Sequence, residues 1–282
     1  MRRIEAIADV RAASRDARAA GRSVGLVPTM GAFHGGHAAL MRAAREASDL
    51  VVVSLFVNPT QFNDPADLAA YPRAFETDAA MAEQLGVDVL WAPSAAEMYP
   101  EGFSTGVSVN GLGEVLEGAI RGPEHFAGVC TVVAKLFNAV EPDVAYFGQK
   151  DAQQVAVLRR MVRDLDFGVR IGVIPTVREP DGLALSSRNV HLKGADRTRA
   201  LALSRALSAA RGAVAEGERE PERIRTAALD AMRDVEPEYL AVVDPDTFEP
   251  LSRVNGRVLV AVAARVGPTR LIDNTLIEVA TP

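Results

Sequence analysis

The run from Leu50 to Val57 (LVVVSLFV) is apolar at every position but Ser54. It is far too short to cross a bilayer, and its β-branched residues favour a strand. A strand without a polar face needs cover on both sides, which is the situation inside a parallel sheet flanked by helices. The surrounding sequence supplies the rest of such a sheet. Ser23–Pro28 (SVGLVP) reads as a buried strand leading through a glycine-rich turn into a helix near Gly36–Ala47. Glu76–Leu85 has helical character, and Val87–Trp91 forms a further strand behind the turn residue Gly86. A helix near Ala127–Val140, a strand at Val144–Phe147, a helix at Ala152–Leu165 and a strand at Val169–Pro175 follow. Strands separated by single helices predict βαβ units and a doubly wound, Rossmann-like parallel sheet of the α/β class.

Beyond that point the pattern changes. Arg197–Ala215 is an amphipathic helix rich in Ala, Arg and Leu, Glu216–Pro221 is a charged connector, and Ile224–Asp234 is a second helix. Three short β-rich stretches close the chain: Tyr239–Val243, Val258–Ala263 and Leu271–Asn274. Helices followed by clustered strands predict a smaller C-terminal α+β domain. The boundary falls near Thr176–Val177, giving domains of residues 1–176 and 177–282, the latter expected to act as a lid over a nucleotide site. A length of 282 residues suits two domains.

Charge and composition narrow the function. A net charge of −6 without any dense basic run argues against a nucleic-acid partner. The single cysteine, Cys130, permits no intrachain disulfide and suits a reducing compartment. Residues 1–22 mix charges with alanines and lack the continuous apolar core of a signal peptide, so the expectation is a soluble, cytoplasmic protein with no membrane partner. Three lysines (Lys135, Lys150, Lys193) stand among 31 basic side chains, and two of the four histidines lie three residues apart.

Those histidines sit in Pro28-Thr29-Met30-Gly31-Ala32-Phe33-His34-Gly35-Gly36-His37, directly after a strand. In a doubly wound sheet, ligands bind beyond the carboxyl ends of the strands. Here glycines allow close backbone approach, free N–H groups open the helix, and two imidazoles on one helical turn can stabilise charge developing on a phosphate. Histidines at i, i+3 also suit a metal, but no Cys or Glu stands nearby to complete a shell. The GxxxxGK[ST] pattern of a P-loop is absent. Three more polar blocks end strands or stand at the domain junction. Asn58-Pro59 closes the second strand and leaves the Gln61 amide at the same sheet edge. Gly148-Gln149-Lys150-Asp151, followed by Gln153-Gln154, closes the strand at Val144–Phe147 and offers a compact positive charge. Val177 to Asn189 turns at Asp181-Gly182 and ends in Ser186-Ser187-Arg188-Asn189, two hydroxyls and a guanidinium suited to polyphosphate. Cys130 and Trp91 are expected in the core and His191 on a surface loop.

PTMGAFHGGH resembles the HxGH signature of the nucleotidylyltransferase and class I aminoacyl-tRNA synthetase superfamily. More narrowly, it is similar to the PTMGALHxGH block of the pantoate–β-alanine ligase family. VNPTQF, FGQKDAQQ and PTVREPDGLALSSRN resemble that family's FVNPxQF, FGxKDxQQ and PTxREXDGLAxSSRN blocks, the last a counterpart of the synthetases' mobile KMSKS loop. Tyr71-Pro72-Arg73 with Asp78 resembles a region that closes over substrates, and Leu116-Glu117-Gly118 with His125-Phe126 resembles LEG…RPGHF. Two departures stand out: Arg121–His125 is one residue longer than R-P-G-H, and Gly35 replaces a common Glu.

The resemblance implies a two-step, ATP-dependent condensation of pantoate with β-alanine through pantoyl adenylate, releasing pyrophosphate and AMP. It implies His37, His34 and Lys150 as catalytic groups. ATP would be bound by Met30–His37, Gly148–Asp151, Val177 (against adenine) and Leu185, Ser186, Ser187 and Arg188 at the phosphates. Pantoate would be held by Gln61, Gln154, Pro28, Thr29 and Met30, and β-alanine near Gln61. Mg2+ would ride on the ATP phosphates, with no protein ligand assigned, and the chain would be a homodimer through its first domain. A nucleotidylyltransferase of the same superfamily, transferring adenylyl without forming an amide, is the alternative. A tRNA synthetase is disfavoured by the acidic balance and short length, and a bare nucleotide sensor has no need of all four blocks.

Overall fold

The computed structural model describes residues 1–62 and 65–279. The chain divides into two compact units, residues 1–148 with 153–175, and residues 149–152 with those from 176 onward. A four-residue excursion around Lys150 therefore groups with the second unit, although it continues directly from a strand of the first.

The first unit holds β1 (Arg2–Ile4), α1 (Ile7–Ala19), β2 (Val24–Thr29), α2 (Gly35–Ala47), β3 (Leu50–Leu55), α3 (Pro65–Ala70), α4 (Phe75–Gln84), β4 (Val89–Trp91), α5 (Ala95–Met98), α6 (Glu117–Arg121), α7 (Pro123–Val140), β5 (Val144–Gly148), α8 (Ala152–Asp164) and β6 (Arg170–Ile174). Its six strands lie in the order β1-β4-β3-β2-β5-β6 and all neighbours pair parallel. The doubly wound sheet is thus present, with β3 buried at five of its six positions as its apolar sequence requires. The histidine-bearing strand is second in the chain rather than first, because β1 precedes it at the sheet edge. Strand order reverses between β2 and β5, and the crevice at such a switch point is where ligands of open α/β sheets bind. The strand read as Leu50–Val57 stops at Leu55, where the chain turns toward Asn58. Trp91 and Cys130 are fully buried and His191 is exposed.

The second unit contains α9 (Ala195–Ala215), α10 (Pro221–Asp230) and an antiparallel sheet in the order β7 (Pro237–Val243), β8 (Arg257–Val266), β9 (Thr269–Glu278). Its core joins Leu203, Leu207 and Ala210 of α9 to Ile224 of α10 and to Val258, Val260 and Val262 of β8. β8 and β9 are each 10 residues long and pair without interruption around Gly267 and Pro268. That is roughly twice what the short apolar stretches suggest, because β8 runs on through Ala264, Arg265 and Val266 and β9 carries Thr269 and Thr275 on buried positions outside the apolar stretch. α10 begins at Pro221 rather than Ile224, proline being well suited to a first helical turn.

Candidate active site

At the end of β2 the backbone enters an unusual turn. Gly31 has φ +87°, and Ala32 follows at φ +52°, a left-handed conformation that costs a side-chain-bearing residue about 1–2 kcal/mol. The turn is fixed from below by Asp78 of α4, only 2% exposed, whose carboxylate accepts the N–H of Ala32 at 2.8 Å and of Phe33 at 2.7 Å. Glycine suits position 31 because of its φ of +87°, and an added Cβ would also crowd that carboxylate at 3.1 Å.

The turn delivers His34 to the N-cap of α2. Its Nδ1 accepts the Gly36 N–H at 3.1 Å, and the Nδ1 of His37 accepts the His34 N–H at 3.3 Å. The two rings lie 4.2 Å apart, with Phe33 5.3 Å from His37. Because each Nδ1 is an acceptor, each neutral imidazole carries its proton on Nε2. The two rings are thus fixed side by side at the positive end of a helix, an end suited to an anion.

A second cluster surrounds Gln61. Asn58, 1% exposed, donates to the Gln61 Oε1 at 3.1 Å and to the Gly128 carbonyl at 3.2 Å. Its own Oδ1 accepts the Tyr99 hydroxyl at 2.7 Å and the Thr60 hydroxyl at 3.0 Å. Burial pushes the Tyr99 phenol up, against a smaller opposing effect of the Thr60 bond. The Gln61 oxygen is thus committed, and its Nε2 points at the Met30 sulfur, 3.0 Å away. Met30 and Gln61, both predicted for pantoate, meet in space. Gln154 stands half-buried in the first turn of α8 and makes no hydrogen bond with Gln61 among the described residues. Thr29 is largely spent internally, donating to the Ser54 carbonyl at 2.7 Å, while Pro28 is half-buried.

The extra residue between Arg121 and His125 lies in a helix junction rather than a loop. α6 ends at Arg121, Gly122 turns with φ +88°, and α7 starts at Pro123. Arg121 is held through Nε by the buried Glu117 carboxylate at 2.9 Å, and the His125 Nδ1 lies 3.0 Å from the Gln61 carbonyl. Gln153, the buried partner of Gln154, fastens this region by taking the Glu117 N–H at 3.0 Å and donating to Leu112 and Val115.

Gly148 ends β5 in the first unit, and the second unit carries the remaining predicted residues. Gln149, Lys150 and Asp151 form a single 3-10 turn, with Lys150 half-buried and Asp151 exposed. Val177 to Ala184 is a small hairpin, bridged at Arg178 and Ala184 and turned at Gly182. It is clamped by Arg197, which reaches Glu179 at 2.8 Å and Asp181 at 2.7 Å. Burial raises the Asp181 carboxyl, but the Leu183 N–H and the Arg197 guanidinium outweigh it and hold the group below its ordinary range. Ser186 then caps a 3-10 turn over Ser187–His191, its hydroxyl accepting the Arg188 N–H at 3.2 Å. Ser186, Ser187 and Arg188 are all half-buried. Among the described residues, no group of three or more His, Cys, Asp and Glu is arranged to hold a metal ion.

Sequence reasoning did not find the groups that support these residues. Asp78 appeared only as part of a resemblance and Asn58 only as a strand end. Tyr99, Asp273 and Asn274 carried no pattern, the last two lying in a strand, β9, that mixes polar and apolar residues.

The comparisons agree along the whole chain. The family model Pantoate-beta-alanine ligase matches residues 2–276. The pantothenate synthetase of Moorella thermoacetica is 53% identical, with 99% of either chain covered, and that of Heliobacterium modesticaldum is also 53% identical, over 99% of this chain and 100% of the other. The crystal structure of pantothenate synthetase from Thermus thermophilus matches with a TM-score of 0.92 at 48% identity, covering 98% of this chain and 99% of that one. The pantoate-beta-alanine ligase of Francisella tularensis, complexed with beta-gamma ATP and beta-alanine, matches with a TM-score of 0.80 at 34% identity over 98% and 97% of the two chains. With the histidine turn and the glutamine cluster lying on the fold these proteins share, the chain belongs to the pantoate-beta-alanine ligase family.

Proposed function

We propose that the chain joins pantoate to β-alanine in two steps on one ATP, with pantoyl adenylate between them. In the first step a pantoate carboxylate oxygen bonds to the α-phosphorus, and the bond to the bridging oxygen breaks as pyrophosphate leaves. In the second, the β-alanine amine attacks the activated acyl carbon, AMP departs with the shared oxygen, and the amine loses a proton. The mixed anhydride is itself the activated species, so no enzyme nucleophile is needed, and the work falls to positioning and charge stabilisation.

The observation that carries this reading is the histidine pair. Backbone N–H groups donate to both Nδ1 atoms, which fixes the His34 and His37 imidazoles side by side at the N-terminus of α2. In this reading they stabilise charge on the transferring phosphate, alongside the backbone from Met30 to His37. Lys150, with Gly148, Gln149 and Asp151, and the segment Leu185–Arg188 hold the polyphosphate, and Val177 packs on the adenine. Gln61 and Gln154 orient pantoate, with Pro28, Thr29 and Met30 against its methyl groups. The Gln61 amide offers N–H because Asn58 occupies its oxygen, a polarity that suits carboxylate or hydroxyl oxygens. β-Alanine would approach beside Gln61, as the complex of the Francisella tularensis relative with β-alanine encourages. Magnesium enters with the substrate as Mg·ATP. The second unit is assigned the role of a lid, and the chain that of a cytoplasmic homodimer joined through its first domain. No helix among the described residues is long and apolar enough to cross a membrane.

Pyrophosphate release with ATP and pantoate, measured with and without β-alanine, tests the reading. Release should require pantoate, and sustained AMP formation should require β-alanine. Pyrophosphate release with pantoate absent, or AMP formation indifferent to β-alanine, would point to adenylyl transfer instead. Replacing His37 with Ala should lower pantoate-dependent ATP–pyrophosphate exchange by about 10²–10³, as loss of one charge-stabilising donor does. Near-wild-type exchange would remove His37 from the mechanism.

A further inference from the structure

Two consecutive residues of β9 spend their side chains outside their own sheet. Strand alternation sends them to opposite faces. On one side Asp273, 4% exposed, binds Arg178 through both oxygens, at 2.6 and 3.0 Å. Arg178 also donates to the Gly182 carbonyl at 3.0 Å, so this pair fixes the root and tip of the hairpin that runs into Ser186, Ser187 and Arg188. On the other side Asn274, also 4% exposed, donates to the carbonyl of Gln149 at 3.0 Å and to that of Lys150 at 2.8 Å, and accepts from the Gln149 side chain at 3.1 Å. Both amide protons and the amide oxygen are thus used on one turn. The backbone N–H of Asn274 donates to Asp273 Oδ1 at 2.8 Å, which ties the two grips together.

The β8–β9 hairpin does not need these side chains, since its backbone pairing is continuous along the strand. What needs them is the turn at Lys150, which leaves β5 and belongs by its contacts to the second unit. We propose that Asn274 is a positioning residue for the phosphate-binding lysine: it fixes the backbone of Gln149 and Lys150 and, through Asp273 and Arg178, makes that turn one body with the hairpin bearing Ser186, Ser187 and Arg188. This rests on the reading of Lys150 and Ser186–Arg188 as the polyphosphate grip. Aspartate has the shape but would set a carboxylate against two carbonyl oxygens, with no proton to give either.

The test compares Asn274→Ala, Lys150→Ala and the double variant in the full-length protein. Asn274→Ala should lower pantoate-dependent ATP–pyrophosphate exchange by about tenfold to a hundredfold, the range for losing its three part-buried side-chain hydrogen bonds, and raise KM for ATP. KM for pantoate should stay within about twofold. In the Lys150→Ala background the same change should cost about twofold or less, because the two act as a unit. Full additivity, or an equal rise in both KM values, overturns the proposal. Lys150→Ala that keeps wild-type exchange sinks the assignment of Lys150 itself, whatever Asn274→Ala does, so the two failures read differently. Gln149→Ala removes a half-buried donor to Asn274 from a residue that is itself assigned to the ATP site. It should raise KM for ATP about twofold to fivefold, and an unmoved KM overturns the proposal even where Asn274→Ala does not fold.

Discussion

Ala32 holds a left-handed backbone next to Gly31, and a buried carboxylate makes that tolerable. Hydrogen bonds to a charged group contribute about 1.5–3 kcal/mol each, so the two N–H bonds to Asp78 outweigh the strain of one left-handed alanine. Asp78→Asn keeps the size but turns an NH2 group toward one of those backbone donors. We expect a loss of about 1–3 kcal/mol in stability and a fall of about tenfold in pantoate-dependent exchange, since the turn then presents His34 and His37 less firmly. Wild-type melting and wild-type exchange together would mean the turn stands without Asp78. Cys130 makes a contrasting case at the same scale. Burial pushes its thiol up to about 12, so at pH 8 no thiolate is available to react. Iodoacetamide should leave it unlabelled in the native protein and label it readily in denaturant; rapid native labelling would show that α7 opens far more than its packing suggests.

The Gln61 turn and α7 meet at a position where only glycine fits. A Cβ on Gly128 would lie 2.5 Å from the Thr60 carbonyl oxygen, and the Gly128 carbonyl itself anchors Asn58. Gly128→Ala should therefore push the 59–61 turn away, costing about 1–3 kcal/mol and raising KM for pantoate more than KM for ATP. Gly212, inside α9, has nothing within 4 Å of where its Cβ would go. There the same substitution should stabilise by about 0.5–1 kcal/mol, because alanine loses less freedom in a helix. Like signs for the two variants in chemical denaturation would defeat the argument. Elements such as β3 and α2 were legible in the sequence because each has one dominant burial requirement: an all-apolar strand, or a glycine-rich turn feeding a helix. β1 was not, because only Ile4 of its three residues is buried and it pairs with β4 alone. α1 buries Val10, Ala13, Ser14 and Ala17, a stripe too small and mixed to stand out among its charges. The same limit governs the site. His34, His37, Lys150 and the serines lie in local patterns that chemistry makes recognisable. Asp78, Tyr99 and Asn274 act on partners 41 to 125 residues away, and no local pattern encodes that.

Across the whole molecule, 37 acidic residues face 31 basic ones, nearly all arginine, so the protein's wiring is carboxylates bound by guanidinium groups and backbone N–H. Such wiring fails on acidification. The Ser23 N–H and hydroxyl hold Asp49 low, the N–H groups of Glu220 and Arg219 hold Glu218 low, and in Asp244 burial is outweighed by the N–H groups of Thr247 and Asp246. With Asp181, these groups have folded values below the ordinary 3.8 for Asp and 4.5 for Glu. A group lowered on folding stabilises the native state above its unfolded value, and that stability is lost as pH falls through the folded one. The protein should thus weaken below about pH 4.5, and it should weaken unevenly. Asp181, Glu218 and Asp244 belong to the second unit, and only Asp49 to the first. The single tryptophan, Trp91, is fully buried in the first unit, donating to the Glu5 carbonyl at 3.1 Å, so its fluorescence reports that unit alone. Far-UV circular dichroism also sees α9 and α10 in the second. On lowering pH from 6, the loss of helical signal should begin at a higher pH than the change in Trp91 emission. Coincident transitions would mean that the two units unfold as one and that these carboxylates do not set the order.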